Sequence, residues 1–575
     1  METTHLIFDS PHIDTLIDSI RTIVFVSFVA VSLYFVCIGQ RSPNVVFHHA
    51  RETVGILHND KHFDKLKLKP TRTQLHSIVV KQCPALKKFT PTPLLFNGHL
   101  QTAAAGVISK LPYKKPDYKR EVLTLPDGGL VAIDWATPLE PTPDAPIIIL
   151  FHGLAGGSNE PYICETALAA LEQGYRVAAL NYRGSNNLSL TTPQIYAGSY
   201  TEDVRLIVRH IKSKNSTCPL IGIGYSLGAN IILKYVGEEG SNCPLLTAVS
   251  VANPHDFNLG INLLHSTFLG RFYSRIMTHE LINIFNKHAH MFENKDVQAP
   301  LQSEPISPTK VKSASFLHDF DEHLTRRVFG YRSVNEFYRM GGSAQYVPDV
   351  AIPMLFLNSS DDPIALNTAV PVADVLQNPH IVLAMTKCGG HIGWFESLFG
   401  FGKGYRRWFV KPVLQYVKAI VDAHESLPST QRHLFVENPS FRPARHVHYK
   451  GKHNVVFEHQ HQPKSRSSSP VKGKLEVAID SVNSRSPVKL TISTTPTALK
   501  VESVQPELPP QHVSSTRKSA ATKRSSPFLL YLLQFVSSIT GGASGEGKLV
   551  QRFAILVFGL WVLSKKSWAR KLIGQ

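Results

Sequence analysis

Residues 219–234 read Pro-Leu-Ile-Gly-Ile-Gly-Tyr-Ser-Leu-Gly-Ala-Asn-Ile-Ile-Leu-Lys. The apolar first half predicts a buried strand, and the apolar run after Gly228 is compatible with a helix. Gly224 and Gly228 would let the strand and the helix approach more closely than side chains permit, while the serine between them is held in a strained turn that faces substrate. Ser226 is therefore the candidate nucleophile. Because the G-x-S-x-G pattern also occurs by chance in loops, the prediction depends on the strand before it and the helix after it.

A serine hydroxyl is a weak nucleophile, so this prediction also requires a histidine base and an acid that orients the histidine. The apolar run 354–357 predicts a buried strand, and an aspartate pair follows it at 361–362. The apolar run 381–385 predicts another strand, and His391 follows it in a glycine-rich loop. The chain order Ser, Asp, His is one of the known orders of a catalytic triad.

Only one of the two adjacent aspartates can reach the histidine, because neighbouring side chains at a strand end point in different directions. We select Asp362, since Pro363 directly after it presets the backbone just beyond the acid. Asp361 is expected to cap or brace the loop instead.

Backbone donors for an oxyanion are expected upstream of the nucleophile. Residues 146–151 form a continuous apolar run that ends in His-Gly-Leu-Ala-Gly-Gly at 152–157. A flexible turn at the carboxyl end of a strand is a typical position for an oxyanion loop. We predict that the backbone N–H groups of Leu154 and Leu227 form the oxyanion hole.

Composition limits the classes of partner. The chain has 575 residues, of which 43% are hydrophobic, and a formal net charge of +18. Such a charge favours anionic surfaces such as membrane lipid or nucleic acid, but no nucleic-acid motif accompanies it, so we predict a membrane partner and no nucleic acid. The six cysteines include no C-x-x-C pair. This argues against a zinc site and a disulfide scaffold, and we expect neither a metal nor a cofactor.

Residues 22–40 contain no charged residue, and about 20 such residues span a bilayer. We predict a transmembrane helix there, preceded by an N-terminal segment at 1–21 and followed by a linker and lead-in at 41–92. The acidic character of 1–21 argues against the basic start of a cleaved signal peptide. Basic residues after the span favour a cytosolic catalytic domain. We expect a single-pass anchor in an endomembrane.

Residues 93–426 alternate apolar strands with helical segments, which predicts an α/β domain with a mostly parallel sheet and helices on both faces. A hairpin is predicted at 121–136, and a lid insertion interrupts the alternation at about 253–350. Aromatic residues of the lid could either line a substrate pocket or simply pack the lid onto the core. These residues are Phe268, Phe272, Tyr273, Phe285, Phe292 and Tyr338.

The chain beyond the domain changes composition twice. Residues 427–525 are rich in Ser, Pro, Lys and His without long apolar runs, which predicts a disordered basic tail. Its histidines are expected to be solvated and not to bind metal. Residues 526–575 contain two apolar runs of about a dozen residues, too short to span a bilayer, beside a basic cluster. This end is expected to be a membrane-interfacial anchor. The sequence identifies no protein partner for the tail.

Motifs along the middle of the chain resemble those of the AB-hydrolase-4 family. They are Asn97-Gly98-His99-Leu100-Gln101-Thr102, His152-Gly153-Leu154, Asn181-Tyr182-Arg183-Gly184, Gly224-Tyr225-Ser226-Leu227-Gly228, Asp361-Asp362-Pro363 and Gly389-Gly390-His391-Ile392-Gly393. This family includes membrane-anchored alpha/beta-hydrolase-domain proteins of the medium-chain phospholipase type, YheT-like hydrolases and yeast alcohol acyltransferase/esterase relatives. The resemblance implies an alpha/beta-hydrolase fold, the second aspartate of the pair as the triad acid, and a catalytic domain on the far side of the membrane. The last implication conflicts with the charge rule.

The resemblance also implies a serine hydrolase that cleaves lipid esters such as phospholipids or monoacylglycerols. An alcohol O-acyltransferase would use the same acyl-enzyme and differs only in the second nucleophile, so the sequence leaves it open. A non-enzymatic membrane scaffold is a further alternative, suggested by the tail. Acyl-chain length and head group stay open as well.

Overall fold

The computed structural model describes residues 45–59, 70–92, 95–109, 112–140, 142–293, 302, 304–396 and 407–437, and two short strands at 448–450 and 454–456. The predicted span at 22–40, most of the predicted tail and the predicted interfacial segments at 526–575 lie outside these ranges. No helix in the described ranges combines the length and the apolar character needed to cross a membrane.

A central sheet organises the fold. In chain order the strands are β1 (Val45–His49), β2 (Gly55–Asn59), β3 (Pro70–Gln74), β4 (Lys119–Thr124), β5 (Leu130–Ala136), β6 (Ile147–Phe151), β7 (Arg176–Asn181), β8 (Leu220–Tyr225), β9 (Thr247–Val251), β10 (Met354–Ser359), β11 (Ile381–Thr386), β12 (His448–Lys450) and β13 (Asn454–Val456). Within the described ranges the main sheet has nine strands in the order β1-β11-β10-β9-β8-β6-β7-β5-β4. The run from β11 to β7 is parallel throughout. Antiparallel strands complete both edges. The predicted mostly parallel sheet is confirmed.

Helices cover both faces of this sheet. Those of at least eight residues are α1 (Leu75–Gln82), α2 (Gly98–Ile108), α3 (Pro161–Leu171), α4 (Glu202–Lys214), α5 (Leu227–Glu239), α6 (Phe257–Ser266), α7 (Phe268–His288), α8 (Val334–Gly341) and α9 (Val410–Glu425). Alternate residues of one strand enter different cores, because side chains alternate across a sheet. Leu355 and Leu357 pack with α3 and α9, whereas Met354 and Phe356 pack with α4 and α5. The central strands are apolar at nearly every position because both of their faces are buried.

The predicted hairpin is present, and an insertion lies where the lid was predicted. The hairpin at 121–136 is formed by β4 and β5, and its turn places Gly128 at a φ of 81°. Between β9 and β10 the chain forms α6, α7, α8 and shorter helical segments, which enclose a separate apolar cluster. This insertion occupies the predicted position of the lid at about 253–350.

The segment predicted as linker and lead-in, 41–92, is part of the domain where the structure describes it. β1 pairs with β11 and forms an edge of the main sheet. Leu75, Ile78 and Val79 of α1 are buried in the core that α9 also enters. The predicted domain start at 93 was therefore wrong. The apolar runs in this segment are short. The sequence alone therefore does not show that they pack on the domain.

The predicted tail start at 427 was also wrong for its first residues. Leu427 and Phe435 are buried in the domain. The Leu57 N–H donates to the Phe435 carbonyl, and the Glu437 N–H donates to the Gly55 carbonyl, each at about 3 Å. Residues 427–437 are mostly polar, so their composition did not indicate that two of their side chains are buried.

Candidate active site

The nucleophile candidate lies in a sharp turn between β8 and α5. Ser226 has a φ of 52° and a ψ of −119°, a backbone conformation that costs a non-glycine residue free energy. Its N–H donates to the Val251 carbonyl at 2.9 Å, which holds the turn against β9. A Cβ at position 228 would lie 2.3 Å from the Phe151 carbonyl oxygen, and one at 224 would lie 2.4 Å from the Gly228 oxygen. The two glycines are thus required by close backbone approach, as the spacing predicts.

His391 lies in the loop after β11 and points at the serine. Its Nε2 is 2.8 Å from Ser226 Oγ, and its Nδ1 is 2.9 Å from Asp362 Oδ2. The side chains of His391 and Asp362 are 11% and 0% exposed, so these contacts are largely shielded from water. The structure therefore brings together the three residues predicted as a triad.

The two aspartates have different surroundings. The other carboxylate oxygen of Asp362 accepts the N–H groups of Ile364 and Ala365, both at 2.8 Å. This fixes its orientation toward the imidazole. Asp361 instead accepts the Gly390 N–H at 3.0 Å and the Ser359 hydroxyl at 2.7 Å, and burial raises the pKa of its carboxyl. Asp361 ties the loop that holds His391 to the end of β10.

The loop after β6 lies beside the nucleophile. A Cβ at Gly153 would lie 3.3 Å from the Cβ of Ser226. The Gly153 N–H donates to the Tyr162 hydroxyl at 2.9 Å, and the Ala155 N–H donates to the Tyr196 hydroxyl at 2.7 Å. No acceptor for the Leu154 N–H between them is present in the described part of the chain. The N–H groups of Gly153 and Ala155 already donate hydrogen bonds, whereas the Leu154 N–H stays available to a ligand.

Leu227 provides the second donor that the sequence predicts. It is the first residue of α5, and the first N–H groups of a helix have no intrahelical acceptor. The positive end of the helix dipole also favours negative charge at this position. Leu154 and Leu227 line the same cavity as Ser226. Their assignment as oxyanion donors stays a prediction.

That cavity lies between the lid and the sheet. Its empty volume is about 1090 Å³, part of which is open to solvent, and most of its wall is apolar. Of the six lid aromatics named in the prediction, Phe285 and Tyr338 line it. Phe292 packs against Phe285 with ring centroids 5.2 Å apart, and Phe272 is 51% exposed. Phe285 and Tyr338 therefore line the pocket, whereas Phe292 packs against another lid residue.

Comparison with known proteins agrees with the fold. The sequence profile of the alpha/beta hydrolase fold matches residues 146–397. An embryogenesis-associated protein, EMB8, of Picea glauca is 34% identical over 342 residues, which cover 57% of this chain and 71% of that protein. The chain belongs to the alpha/beta-hydrolase family.

Two further relatives of this hydrolase have names that state an activity. A protein of Saccharomyces cerevisiae named monoacylglycerol lipase is 30% identical over 370 residues, covering 57% of this chain and 80% of that one. A human protein named phospholipase ABHD3 is 30% identical over 356 residues, covering 60% of this chain and 82% of that one.

Two other histidines near the site of this hydrolase do not join the triad. Burial lowers the pKa of His152 to about 4, so the ring is neutral at pH 7, and its Nδ1 lies 2.7 Å from the Gly153 carbonyl oxygen. His99 Nδ1 lies 3.0 Å from the Tyr273 hydroxyl on the lid, and burial lowers its pKa as well. His99 is therefore a packing and hydrogen-bonding residue.

Sequence reasoning missed the contribution of Thr102. The His391 N–H donates to its hydroxyl at 2.8 Å, and that hydroxyl donates to the Gly98 carbonyl at 2.7 Å. A Cβ at Gly390 would lie 2.3 Å from the same carbonyl oxygen. The first turn of α2 thus packs directly on the histidine loop of the hydrolase. The motif at 97–102 marked this segment, but no local pattern assigned it a partner.

Proposed function

We propose that this chain is a membrane-anchored serine hydrolase that cleaves carboxylic ester bonds of phospholipids or monoacylglycerols through an acyl-enzyme. The chain is an enzyme of the esterase or lipase class. The observation that most supports the proposal is the hydrogen-bonded series Ser226, His391 and Asp362, with distances of 2.8 and 2.9 Å, at the wall of a largely apolar cavity. The names of the yeast and human relatives support a lipid ester as substrate. The AB-hydrolase-4 motifs support the same substrate class.

The proposed acylation step uses these three residues and the two backbone donors. Ser226 Oγ attacks the ester carbonyl carbon while His391 Nε2 accepts the hydroxyl proton. The carbonyl oxygen becomes an oxyanion, which the N–H groups of Leu154 and Leu227 stabilise without reorganising. When the carbon–oxygen bond of the ester breaks, the leaving alcohol takes the proton from His391. An acyl group then remains on Ser226.

Deacylation repeats these steps with water. His391 removes a proton from the water as its oxygen attacks the acyl carbonyl, and the proton passes to Ser226 Oγ when the acyl bond breaks. A fatty acid is released, and the serine hydroxyl is restored. Asp362 holds the Nδ1–H tautomer of His391 in both halves and stabilises the imidazolium that forms. The apolar cavity beside Ser226 is suited to the acyl chain.

A fluorophosphonate probe and lipid turnover test this proposal. Wild-type protein is expected to bind the probe covalently at Ser226 and to release free acid from monoacylglycerol or phosphatidylcholine vesicles. Ser226→Ala should lose both, whereas Ser360→Ala, at an exposed serine, should keep both. Undiminished labelling in Ser226→Ala would contradict the nucleophile assignment. Predominant formation of new ester with an added alcohol would instead support acyl transfer.

Membrane attachment is part of the proposal and rests on the apolar sequence at 22–40. Full-length protein is expected to remain in the membrane fraction after alkaline carbonate extraction, which removes interfacially bound proteins. A chain without residues 1–40 should be extracted, while one without 526–575 should not. Retention of the first truncation in the membrane would show that another segment provides the anchor.

A further inference from the structure

One part of the cavity wall is polar. Asp321, Thr325 and Tyr338 all line the cavity; we refer to them as the Asp321 cluster. The Thr325 hydroxyl donates to Asp321 Oδ1 at 2.6 Å, and the Tyr338 hydroxyl donates to Oδ2 at 2.9 Å. Residues Asp321–Thr325 form a π-helical turn of the lid. Such turns are rare and frequently occur at functional sites.

Within the described ranges, no cation compensates the charge of the Asp321 carboxyl group. Burial raises its pKa to about 6, and only the two hydroxyl donors oppose this shift. No Lys, Arg or His side chain of the described chain contributes to it. A partly buried acid without an ion pair costs folding free energy, and such groups in cavities are candidates for function.

Asp321 also retains capacity to accept hydrogen bonds. An ionised carboxylate has about four acceptor sites, and each oxygen here accepts from one protein hydroxyl. Asp321 lines the cavity, and most of the other groups in the cavity wall are apolar. The wall therefore offers few other partners for the remaining acceptor sites of Asp321. A substrate with only methylene groups would leave those sites unsatisfied. A substrate with a suitably placed O–H donor would satisfy one of them.

We infer that Asp321 accepts a hydrogen bond from a hydroxyl group of the substrate in the lid cavity, and that the Asp321 cluster is a hydroxyl-binding subsite. The inference rests on the proposed function, because it concerns the ester substrate of the same site. The hydroxyl belongs to a hydroxylated acyl chain or to the glycerol of a monoacylglycerol. Thr325 and Tyr338 are positioning residues, since each holds one oxygen of the carboxylate.

The first test measures binding without turnover. In full-length Ser226→Ala protein, dodecanoic acid and a set of its monohydroxy isomers compete with a fluorescent fatty acid. At least one isomer should bind about tenfold more tightly than dodecanoic acid, since a hydrogen bond to a charged group is worth on the order of tenfold or more. Adding Asp321→Leu should abolish this preference, and Asp321→Asn, which keeps the side-chain shape, should reduce it.

Asp256 offers a matched control. It also lines the cavity, but one of its oxygens caps α6 by accepting the Leu259 N–H at 3.0 Å. Asparagine is an equally good N-cap. Asp256→Asn should therefore keep the hydroxyl preference. An equal loss in this control would show that any change of charge in the cavity is sufficient, and would overturn the inference.

A second arm distinguishes the two sources of the hydroxyl. In protein with Ser226, kcat/KM is compared for monododecanoylglycerol, methyl dodecanoate and the methyl ester of the best-bound hydroxy acid. If the glycerol ester's advantage over the methyl ester disappears in Asp321→Leu, the hydroxyl is that of glycerol; if the hydroxy acid's advantage disappears, it lies on the acyl chain. The inference is overturned if Asp321→Leu lowers only thermal stability, with neither preference changed, since Asp321 would then only brace the lid. Hydroxyl-selective binding with no ester turnover would contradict the proposed function and leave the subsite standing.

Discussion

Two adjacent aspartates follow the end of β10, and they differ in the groups that they contact. Asp362 contacts the imidazole, whereas Asp361 binds the backbone of the histidine loop. The geometry agrees with the preference that Pro363 gave at the sequence level. The catalytic consequence is testable by changing each carboxylate to its amide.

Asp362→Asn is expected to lower kcat by about three to four orders of magnitude, because the amide favours the wrong tautomer of the histidine. Asp361→Asn should cost far less, since Gly390 N–H can still donate to the amide oxygen. Ester turnover of the purified variants, with circular dichroism and thermal melting as checks on folding, measures the difference. A collapse in Asp361→Asn alone would exchange the two assignments.

Thr102 positions the histidine by accepting its backbone N–H. Thr102→Val keeps the shape but removes the acceptor, and losing one buried hydrogen bond costs about 1 kcal/mol or more. We expect kcat to fall about tenfold with little change in KM, since small displacements of catalytic groups are costly. Thr102→Ser retains the hydroxyl and should stay near wild-type turnover. Equal kcat values in Thr102→Val and wild type would contradict a positioning contribution.

At the scale of elements, the turn from β8 to α5 depends on backbone contacts that cannot move aside. Gly228→Ala would place a Cβ 2.3 Å from the Phe151 oxygen and 2.6 Å from the His152 oxygen. We expect destabilisation by about 3 kcal/mol or more. Gly106→Ala in α2 is the control, because its Cβ would meet nothing within 4 Å. It should stabilise by up to about 1 kcal/mol. Thermal melts of both variants compare them, and similar melting temperatures would refute the close-approach argument.

The π-helical turn of the lid should give a pH signature. Asp321 keeps its proton to about pH 6 in the folded protein, against an ordinary value of 3.8. The folded state therefore binds more protons between these values, and the contribution of this group to stability falls as pH rises from about 4 to about 6. Asp321→Asn cannot ionise, so its unfolding free energy relative to wild type should rise across that window. Denaturant unfolding at a series of pH values measures this, with the exposed Asp117→Asn as control; a constant difference would refute it.

At the scale of the whole molecule, the catalytic domain is completed by segments from both sides of its central sequence. Phe435 is 4% exposed, and its ring meets His424 of α9 edge-on at 5.2 Å. Together with Leu427 it attaches the segment 427–437 to the strands β2 and β3 and to α9. Deletion from residue 427 is therefore expected to destabilise the domain.

Truncation after residue 437 should preserve turnover of a soluble ester and the melting temperature of the domain. Truncation after residue 426 should lower the melting temperature, because it removes two buried side chains and two backbone hydrogen bonds. Phe435→Ala in the full chain should cost about 3 to 5 kcal/mol by the same reasoning. Equal melting temperatures for the two truncations would show that residues 427–437 add no stability.

The sequence by itself determined which strand precedes each candidate triad residue. It also determined the need for glycine at 224 and 228. These features are local. An apolar run of five or six residues predicts a buried strand, and a glycine spacing around one serine predicts a turn whose geometry depends on few other residues. The Asp362 position likewise followed from its distance to a strand end and from the proline after it.

Only the tertiary structure decided which distant groups meet. Thr102 and His391 are 289 residues apart, and β1 pairs with a strand more than 300 positions later in the chain. Asp321 has no sequence pattern that places it in a cavity. Such contacts depend on how the lid, α2 and both ends of the domain pack on the sheet. Packing is a property of surfaces assembled from many segments, so periodicity and turn chemistry within one segment do not specify it.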